Sequence, residues 1–125
     1  MIVPAYAAVL ALVFVALSFR TLGLRRSKGI AIGTADDPEL TRAMRVHSNF
    51  AEYVPIALIL LFFLESRTNG TTLIHILCAL LIVGRVVHAY GVSQAEENFR
   101  FRVTGMVLTL GTIISASIRL LGSYI

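Results

Sequence analysis

The sequence predicts an all-α integral membrane protein in which residues 1–125 fold as a single bundle of four transmembrane helices. The first reason is composition: 57% of the residues are hydrophobic, 14% are charged and the mean hydropathy is +0.82. A soluble domain carries about 25% charged residues. The second reason is that four apolar segments each approach the roughly 20 residues that cross a bilayer, at positions 2–19, 43–64, 73–90 and 103–121. These segments and their short connections leave no room for a separate soluble domain.

The first apolar segment is interpreted as a retained transmembrane helix. A secretory signal has basic residues before its apolar core, whereas the first basic residue here, Arg20, follows the segment. Residues 36–39 then carry a helix-start signal, because an N-cap aspartate, a proline in the first turn and acidic side chains suit the positive end of a helix. We expect the second helix to begin near Pro38. Three glycines are expected to loosen the connection before it: Gly23, Gly29 and Gly33.

The second helix carries a polar stripe into its apolar segment. Polar groups inside a membrane are costly unless they pair with each other or with a ligand. Arg45 and Glu52 are about 10 Å apart along the helix axis, a separation that suits the two ends of a small zwitterion. The alternative is a structural network that joins helices, and the residue types alone favour neither. At about 100° per residue, the stripe comprises Arg42, Arg45, Asn49, Glu52 and Tyr53.

His47 and the third helix supply the remaining polar groups inside the spans. His47 points away from the stripe, so we expect it to make a helix–helix hydrogen bond. Arg85 lies inside an apolar run and needs a carboxylate partner or a water-filled cleft, and Glu52 is the one acidic residue inside another span. We therefore predict an ion pair between Glu52 and Arg85. His88, one turn after Arg85, either lines the same cleft or packs between helices.

The fourth helix begins with alternating aromatic and basic residues. The helix dipole disfavours a basic residue at a helix N-terminus, so we expect Arg100 or Arg102 to hold an anion. That anion is either a lipid phosphate or a thiolate or carboxylate of a ligand lodged between helices. Further along the helix, small residues predict close helix packing: Gly105, Gly111 and Ser115.

Basic residues are concentrated in two of the three connections, after the first and third helices. Because short cytoplasmic loops are enriched in Lys and Arg, we predict that these loops are cytoplasmic and that both termini are outside. The net charge of +4 mostly reflects this asymmetry. Nucleic-acid binding is not predicted, since the basic residues flank membrane helices without an aromatic-rich soluble face. A single cysteine, Cys78, excludes an internal disulfide, and no metal site is predicted.

The spacing Arg45-x-His47-x-Asn49-x-x-Glu52-Tyr53-x-Pro55 resembles the second-helix signature of the MAPEG family, the membrane-associated proteins in eicosanoid and glutathione metabolism. The resemblance covers the whole chain in length and in the order of its spans. It implies a homotrimer of four-helix subunits, here a bacterial member in the inner membrane, with glutathione as co-substrate between subunits near the cytoplasmic face. Further matching positions are Arg25, Arg26, Arg85, Arg102 and the Arg119-Leu120-Leu121 triplet.

The same resemblance implies a role for each candidate residue. An arginine at the start of the fourth helix stabilises the glutathione thiolate, and spacing to Arg119 favours Arg102, with Arg100 second. The other implied contacts are Arg45 to a carboxylate, Glu52 to the ammonium, Asn49 and Tyr53 to the peptide groups, Arg25 or Arg26 of an adjacent subunit to the second carboxylate, and Arg85 and His88 as the lining of the cleft.

The implied activity is that of a glutathione-dependent transferase or peroxidase acting on lipophilic electrophiles or hydroperoxides. Val92 occupies a position where family members often have a tyrosine near the thiol, so general conjugation is implied more strongly than hydroperoxide or epoxide chemistry. One alternative is a non-catalytic member that binds membrane lipid or acts as a scaffold. A small four-helix multidrug transporter is disfavoured, because proton coupling needs an acidic residue in the first helix and residues 1–19 contain none.

Overall fold

A computed structural model describes residues 1–125 and contains four helices and no strand. The helices are α1 (Val3–Lys28), α2 (Pro38–Arg67), α3 (Thr71–Ser93) and α4 (Phe99–Gly122). Each is long and apolar enough to cross a membrane. The predicted fold class, an all-α bundle of four transmembrane helices, is therefore confirmed.

Helix α1 extends further than its apolar segment. It continues through Gly23 and the basic residues that follow, and it ends at Gly29, whose φ of 67° is the left-handed conformation that favours glycine. The Gly29 N–H is directed to the carbonyl oxygens of Arg25 and Arg26. The expectation that Gly23 loosens the chain is wrong, because an isolated glycine costs a helix only about 1 kcal/mol and the surrounding residues are good helix formers.

Helix α2 begins at Pro38, as predicted, with Asp37 as its N-cap. The Leu40 backbone N–H donates to the Asp37 carboxylate at 2.8 Å. The Lys28 ammonium lies 2.7 Å from the same carboxylate and 3.2 Å from that of Glu39, which ties the end of α1 to the start of α2. The hydrogen bond from Lys28, with that from Leu40, holds the pKa of Asp37 below its ordinary value.

Helices α3 and α4 approach most closely at glycines. A Cβ atom added to Gly105 would lie 2.6 Å from the carbonyl oxygen of Gly84 and 2.7 Å from the backbone nitrogen of His88. One added to Gly91 would lie 2.6 Å from Cβ of Phe101. Close packing at Gly105 is thus confirmed, whereas Gly111 faces open space and is not a packing position in this chain.

Helix α1 lies at the edge of the bundle. It contributes only Val3 and Leu10 to the buried residues, and it packs along α2. The His47 ring lies 2.9 Å from the Ser18 hydroxyl and stacks on Phe14, so the predicted helix–helix hydrogen bond of His47 is confirmed. With α1 at the edge, the polar groups of α2 and α3 that face α4 are free to line a cleft.

Candidate functional site

Helices α2, α3 and α4 enclose a polar cleft of about 410 Å³. This volume lies within the range of about 300–1,000 Å³ that small-molecule sites occupy. Five of the ten candidate residues come together here, contributed by three different helices. The cleft is lined by Arg45, Ser48, Asn49, Glu52, His88, Val92, Arg102 and Met106.

Arg45 and Glu52 present opposite charges within this cleft. Both side chains are exposed, and neither has an ion-pair partner within 4.0 Å. Their separation of about two helical turns prevents them from neutralising each other. The cleft therefore offers a free cation and a free anion on one helix face, with the Asn49 amide one turn from each.

Arg85 is buried, with 1% of its surface exposed, and it does not pair with Glu52. Its Nη1 donates to Oδ1 of Asn49 at 2.6 Å and its Nε to Oγ1 of Thr109 at 2.9 Å. The predicted Glu52–Arg85 ion pair is wrong, because the guanidinium meets α2 at the height of Asn49, one turn before Glu52. The neutral oxygens of Asn49 and Thr109 satisfy the guanidinium, and the Glu52 carboxylate remains free at the cleft.

Tyr53 lies behind the cleft rather than in its wall. Its side chain is half-buried, and Cζ of Arg85 lies 5.9 Å from the centroid of its ring, within the range of a cation–π interaction. Arg85 thus contacts Asn49 and Tyr53 on α2 and Thr109 on α4. These contacts make Arg85 a positioning residue for Asn49, which itself faces the cleft.

Arg102 is held by a carboxylate that the sequence interpretation did not include. This residue is Glu97, whose side chain is 8% exposed. Its Oε1 lies 2.7 Å from Nε of Arg102, and its Oε2 accepts a hydrogen bond from Nη2 of Arg102 at 3.0 Å. The same Oε2 accepts from Nη1 of Arg42 at 3.1 Å. Nε and Nη2 of Arg102 both face Glu97, whereas Nη1 makes neither a hydrogen bond nor an ion pair within the protein, so it remains free to donate to an anion.

Arg42 braces this group from the start of α2. Besides Glu97, it donates to the backbone carbonyl oxygens of Val92 at 3.2 Å and Ala95 at 3.3 Å. Arg42, a member of the polar stripe, thus holds the connection between α3 and α4 against α2 by these hydrogen bonds. One sequence signal pointed to Glu97, namely an acidic residue directly before the N-cap Asn98 and five positions before Arg102.

A second cavity of about 300 Å³ adjoins the cleft at the basic end of the bundle. It shares Arg45, Val92 and Arg102 with the cleft, and its other lining residues are Pro38, Thr41, Arg42 and Glu97. The two cavities together form a polar entrance in which arginines outnumber carboxylates. An anionic ligand is therefore favoured over a cationic one.

Besides Tyr53 and Arg85, three further candidate residues do not line the cleft. Arg100 is exposed and lines neither cavity, so of the two arginines near the start of α4 only Arg102 faces the cleft. Arg25 and Arg26 line a separate depression formed by the end of α1 and the connection that follows it. Arg25 donates to the carbonyl oxygens of Ile30, Ala31 and Gly33, which organises the connection between α1 and α2.

Comparison with known proteins places these features in a family context. The sequence profile of the MAPEG family matches residues 3–122. Inner membrane protein YecN of Escherichia coli strain K12 is 37% identical over 109 residues, which cover 87% of this chain and 82% of that protein. The protein of the same name from Escherichia coli O6:H1 matches to the same extent.

Proposed function

The chain belongs to the MAPEG family, and from this premise we propose that it is a glutathione-dependent transferase or peroxidase of a bacterial inner membrane. The membrane assignment draws on the four apolar helices and on the similarity to inner membrane protein YecN of Escherichia coli. In the predicted orientation the basic end of the bundle faces the cytoplasm, so the cleft opens toward the cytosolic pool of reduced thiols.

The observation that carries this proposal is the set of free charges in the cleft. Glutathione has two carboxylates, one ammonium, two peptide groups and a thiol. Arg45 suits a carboxylate, Glu52 suits the ammonium, and Asn49 supplies an amide between them. A purely structural network would be expected to pair each of these two charges with a neighbouring side chain, and neither Arg45 nor Glu52 has an ion-pair partner.

The proposed chemistry is activation of the thiol by Arg102. A free cysteine thiol has a pKa of about 8.5, so only a small fraction is ionised at neutral pH. A guanidinium within hydrogen-bond reach shifts the thiol toward the nucleophilic thiolate. Nη1 of Arg102 is available for this contact, while Glu97 fixes the opposite edge of the guanidinium. A lipophilic electrophile then reaches the thiolate from the bilayer.

We further propose that the active form is a homotrimer. Arg25 and Arg26 lie outside the cleft of their own subunit, and Arg45 is the one arginine or lysine of the cleft without a carboxylate partner, so the second carboxylate of glutathione has no free guanidinium there. An adjacent subunit that presented Arg25 or Arg26 would supply that group. Native mass spectrometry of the detergent-solubilised protein tests the stoichiometry, and a monomer that binds glutathione with full affinity would contradict the proposal.

The decisive experiment is ultraviolet difference absorbance near the thiolate band when glutathione is added to the purified protein in detergent. We expect a thiolate signal at neutral pH in the wild type and its loss in Arg102→Ala, with glutathione binding largely retained through Arg45, Asn49 and Glu52. Conjugation of a generic aryl halide should fall in parallel. Arg100→Ala is the matched comparison, because it removes an arginine two positions away that lines neither cavity.

The pairing of Arg102 with Glu97 also supports a second candidate, a lipid-binding or scaffold member of the family without catalysis. In that case the charges around the cleft hold helices together and the cavity accepts a lipid headgroup. The absence of a thiolate signal in the wild type and in Arg102→Ala would select this candidate.

A further inference from the structure

A further cavity, of about 240 Å³, lies at the end of the bundle opposite the cleft, where α2 and α4 end and α3 begins. It is smaller than the sites of drug-sized ligands, which occupy about 300–1,000 Å³, so it suits a small group. Its polar lining residues are Arg67, Thr68, Arg119 and Ser123. Two arginines from different helices therefore line one cavity.

Neither of these arginines is neutralised by the protein. No carboxylate lies within 4.0 Å of Arg67 or Arg119. Glu65 is the one acidic residue near this end, and its carboxylate accepts from the backbone N–H groups of Ile2 and Val3 at the start of α1. Glu65 and Arg67 are two positions apart on α2, about 200° around the helix, so the carboxylate faces away from the cavity. Two positive charges thus share a cavity without a counter-charge.

The hydrogen-bond donors of both guanidinium groups are also unused. The arginines whose side chains donate hydrogen bonds within the protein are Arg20, Arg25, Arg42, Arg85 and Arg102. Cζ of Arg67 lies 4.0 Å from the centroid of the Tyr124 ring, so a cation–π interaction occupies the face of this guanidinium. Its N–H groups point outward from the edge and remain free. The Thr68 hydroxyl accepts from the Gly70 N–H at 3.2 Å and has its own hydrogen to donate.

The helix dipole explains only part of this arrangement. Arg67 and Arg119 lie in the last turns of α2 and α4, where the negative end of the dipole favours a cation. That attraction acts on each arginine separately, whereas two like charges that line one cavity repel each other. In the predicted orientation this end is the outer one, where the positive-inside rule disfavours basic residues. An anion between the two guanidinium groups accounts for both observations.

We propose that this cavity binds a phosphate group. Arg67 and Arg119 donate to its oxygen atoms from α2 and α4, in the forked geometry that suits phosphate, and the Thr68 hydroxyl is a third donor. The ends of membrane helices lie among lipid headgroups, so the phosphate comes either from a phospholipid of the surrounding leaflet or from a soluble phosphate. The site shares no residue with the cleft, and loss of the proposed thiol activation would not affect it.

Native mass spectrometry of the purified protein in detergent tests this site with short-chain phosphatidylglycerol as the lipid probe. We expect one bound lipid per subunit in the wild type. In Arg67→Gln and in Arg119→Gln we expect binding to weaken about tenfold, because each loses a hydrogen bond between charged groups. Arg100→Gln is the matched control, since Arg100 is also exposed and lines none of these cavities.

Inorganic phosphate is the second probe, and it distinguishes the two sources. Melting temperatures are compared in sodium phosphate and in sodium chloride at equal ionic strength. For a soluble ligand, phosphate should stabilise the wild type and Arg100→Gln but not Arg67→Gln, and it should displace the lipid. Lipid binding that inorganic phosphate neither mimics nor displaces identifies the phospholipid as the source.

Three results would overturn the proposal: no binding of either probe to the wild type, unchanged binding in both cavity variants, or an equal loss in Arg100→Gln, which would indicate general charge attraction. Both arginines are exposed, so we expect the variants to fold. Thr68→Glu provides a second route, because it supplies a carboxylate at the cavity. It should raise the melting temperature and abolish binding of both probes, and retained binding in this variant would equally contradict the site.

Discussion

Arg102 lies in the first turns of α4, where the helix dipole opposes its positive charge. Glu97 offsets this cost through contacts at 2.7 and 3.0 Å, and Arg42 holds Glu97 from α2 at 3.1 Å. Two cations share one carboxylate, so the cluster keeps a net charge of about +1 at the entrance of the cleft. The carboxylate therefore positions Arg102 without cancelling the attraction of the cleft for an anion.

Removing the charge of Glu97 should destabilise the protein. In Glu97→Gln, Arg42 and Arg102 lose their shared carboxylate, and we expect a loss of about 1–2 kcal/mol, below the value for a fully buried pair because both arginines are partly exposed. Thermal unfolding in detergent measures the effect. Glu96→Gln is the control, since Glu96 is exposed and unpaired. Equal melting temperatures for the two variants would contradict a stabilising role for Glu97.

The sequence identified the cleft residues of α2 but not the partners of the arginines. Helical periodicity places Arg45, Asn49 and Glu52 on one face, and the structure finds all three at the cleft. Whether Arg85 meets Asn49 or Glu52 depends on the relative height of α2 and α3, which no pattern within one helix encodes. Glu97 lies in a connection, where periodicity has no meaning, and its ion pairs arise only when α2 and α4 come together.

At the scale of the helices, the crossing of α3 and α4 holds the site in place. Gly84, Gly91 and Gly105 allow the two backbones to touch, and this contact brings His88 and Arg102 to the same cleft. Membrane helices associate closely where small residues face each other. The sequence marked Gly105 and Gly111 alike as small residues, but only the first faces α3, because the side of α4 that packs depends on the tertiary arrangement.

This difference gives a matched pair of substitutions. Gly105→Ala would place a methyl group 2.6 Å from the Gly84 carbonyl oxygen, which forces α3 and α4 apart and should cost about 3 kcal/mol or more. Gly111→Ala meets no atom within 4 Å and should be neutral or slightly stabilising, because alanine is the better helix former. Unfolding by heat in detergent, followed by circular dichroism, compares them. An equal loss in both variants would refute the close crossing.

Helix ends were harder to predict than helix positions. Hydropathy identified four spans, but it stopped α1 at residue 19, where the charges begin, whereas the helix continues to Lys28. Hydrogen bonding along a helix does not require lipid, so charged residues extend a helix beyond the membrane without ending it. At α2 the local signal was stronger: the Asp37 cap and Pro38 define the first turn, and the predicted start is the observed one.

At the scale of the whole molecule, basic residues are distributed unequally between the two ends of the bundle. The end that holds the cleft also holds the basic end of α1 and the starts of α2 and α4, while the opposite end contributes Arg67 and Arg119. From the positive-inside rule we predict that the cleft end is cytoplasmic and that both termini are outside. The orientation matters for the proposed function, because reduced thiols are maintained in the cytosol.

Cysteine labelling tests this orientation. The native thiol, Cys78, is fully buried and is first removed by Cys78→Ser. In that background, Ser27→Cys introduces one exposed thiol at the cleft end of the bundle, and Asn69→Cys introduces one at the opposite end. In intact spheroplasts a membrane-impermeant maleimide should label position 69, and it should label position 27 only after permeabilisation. The reverse pattern would place the cleft on the outer face, where a cytosolic thiol could not reach Arg102, and would contradict a glutathione-dependent activity at this site.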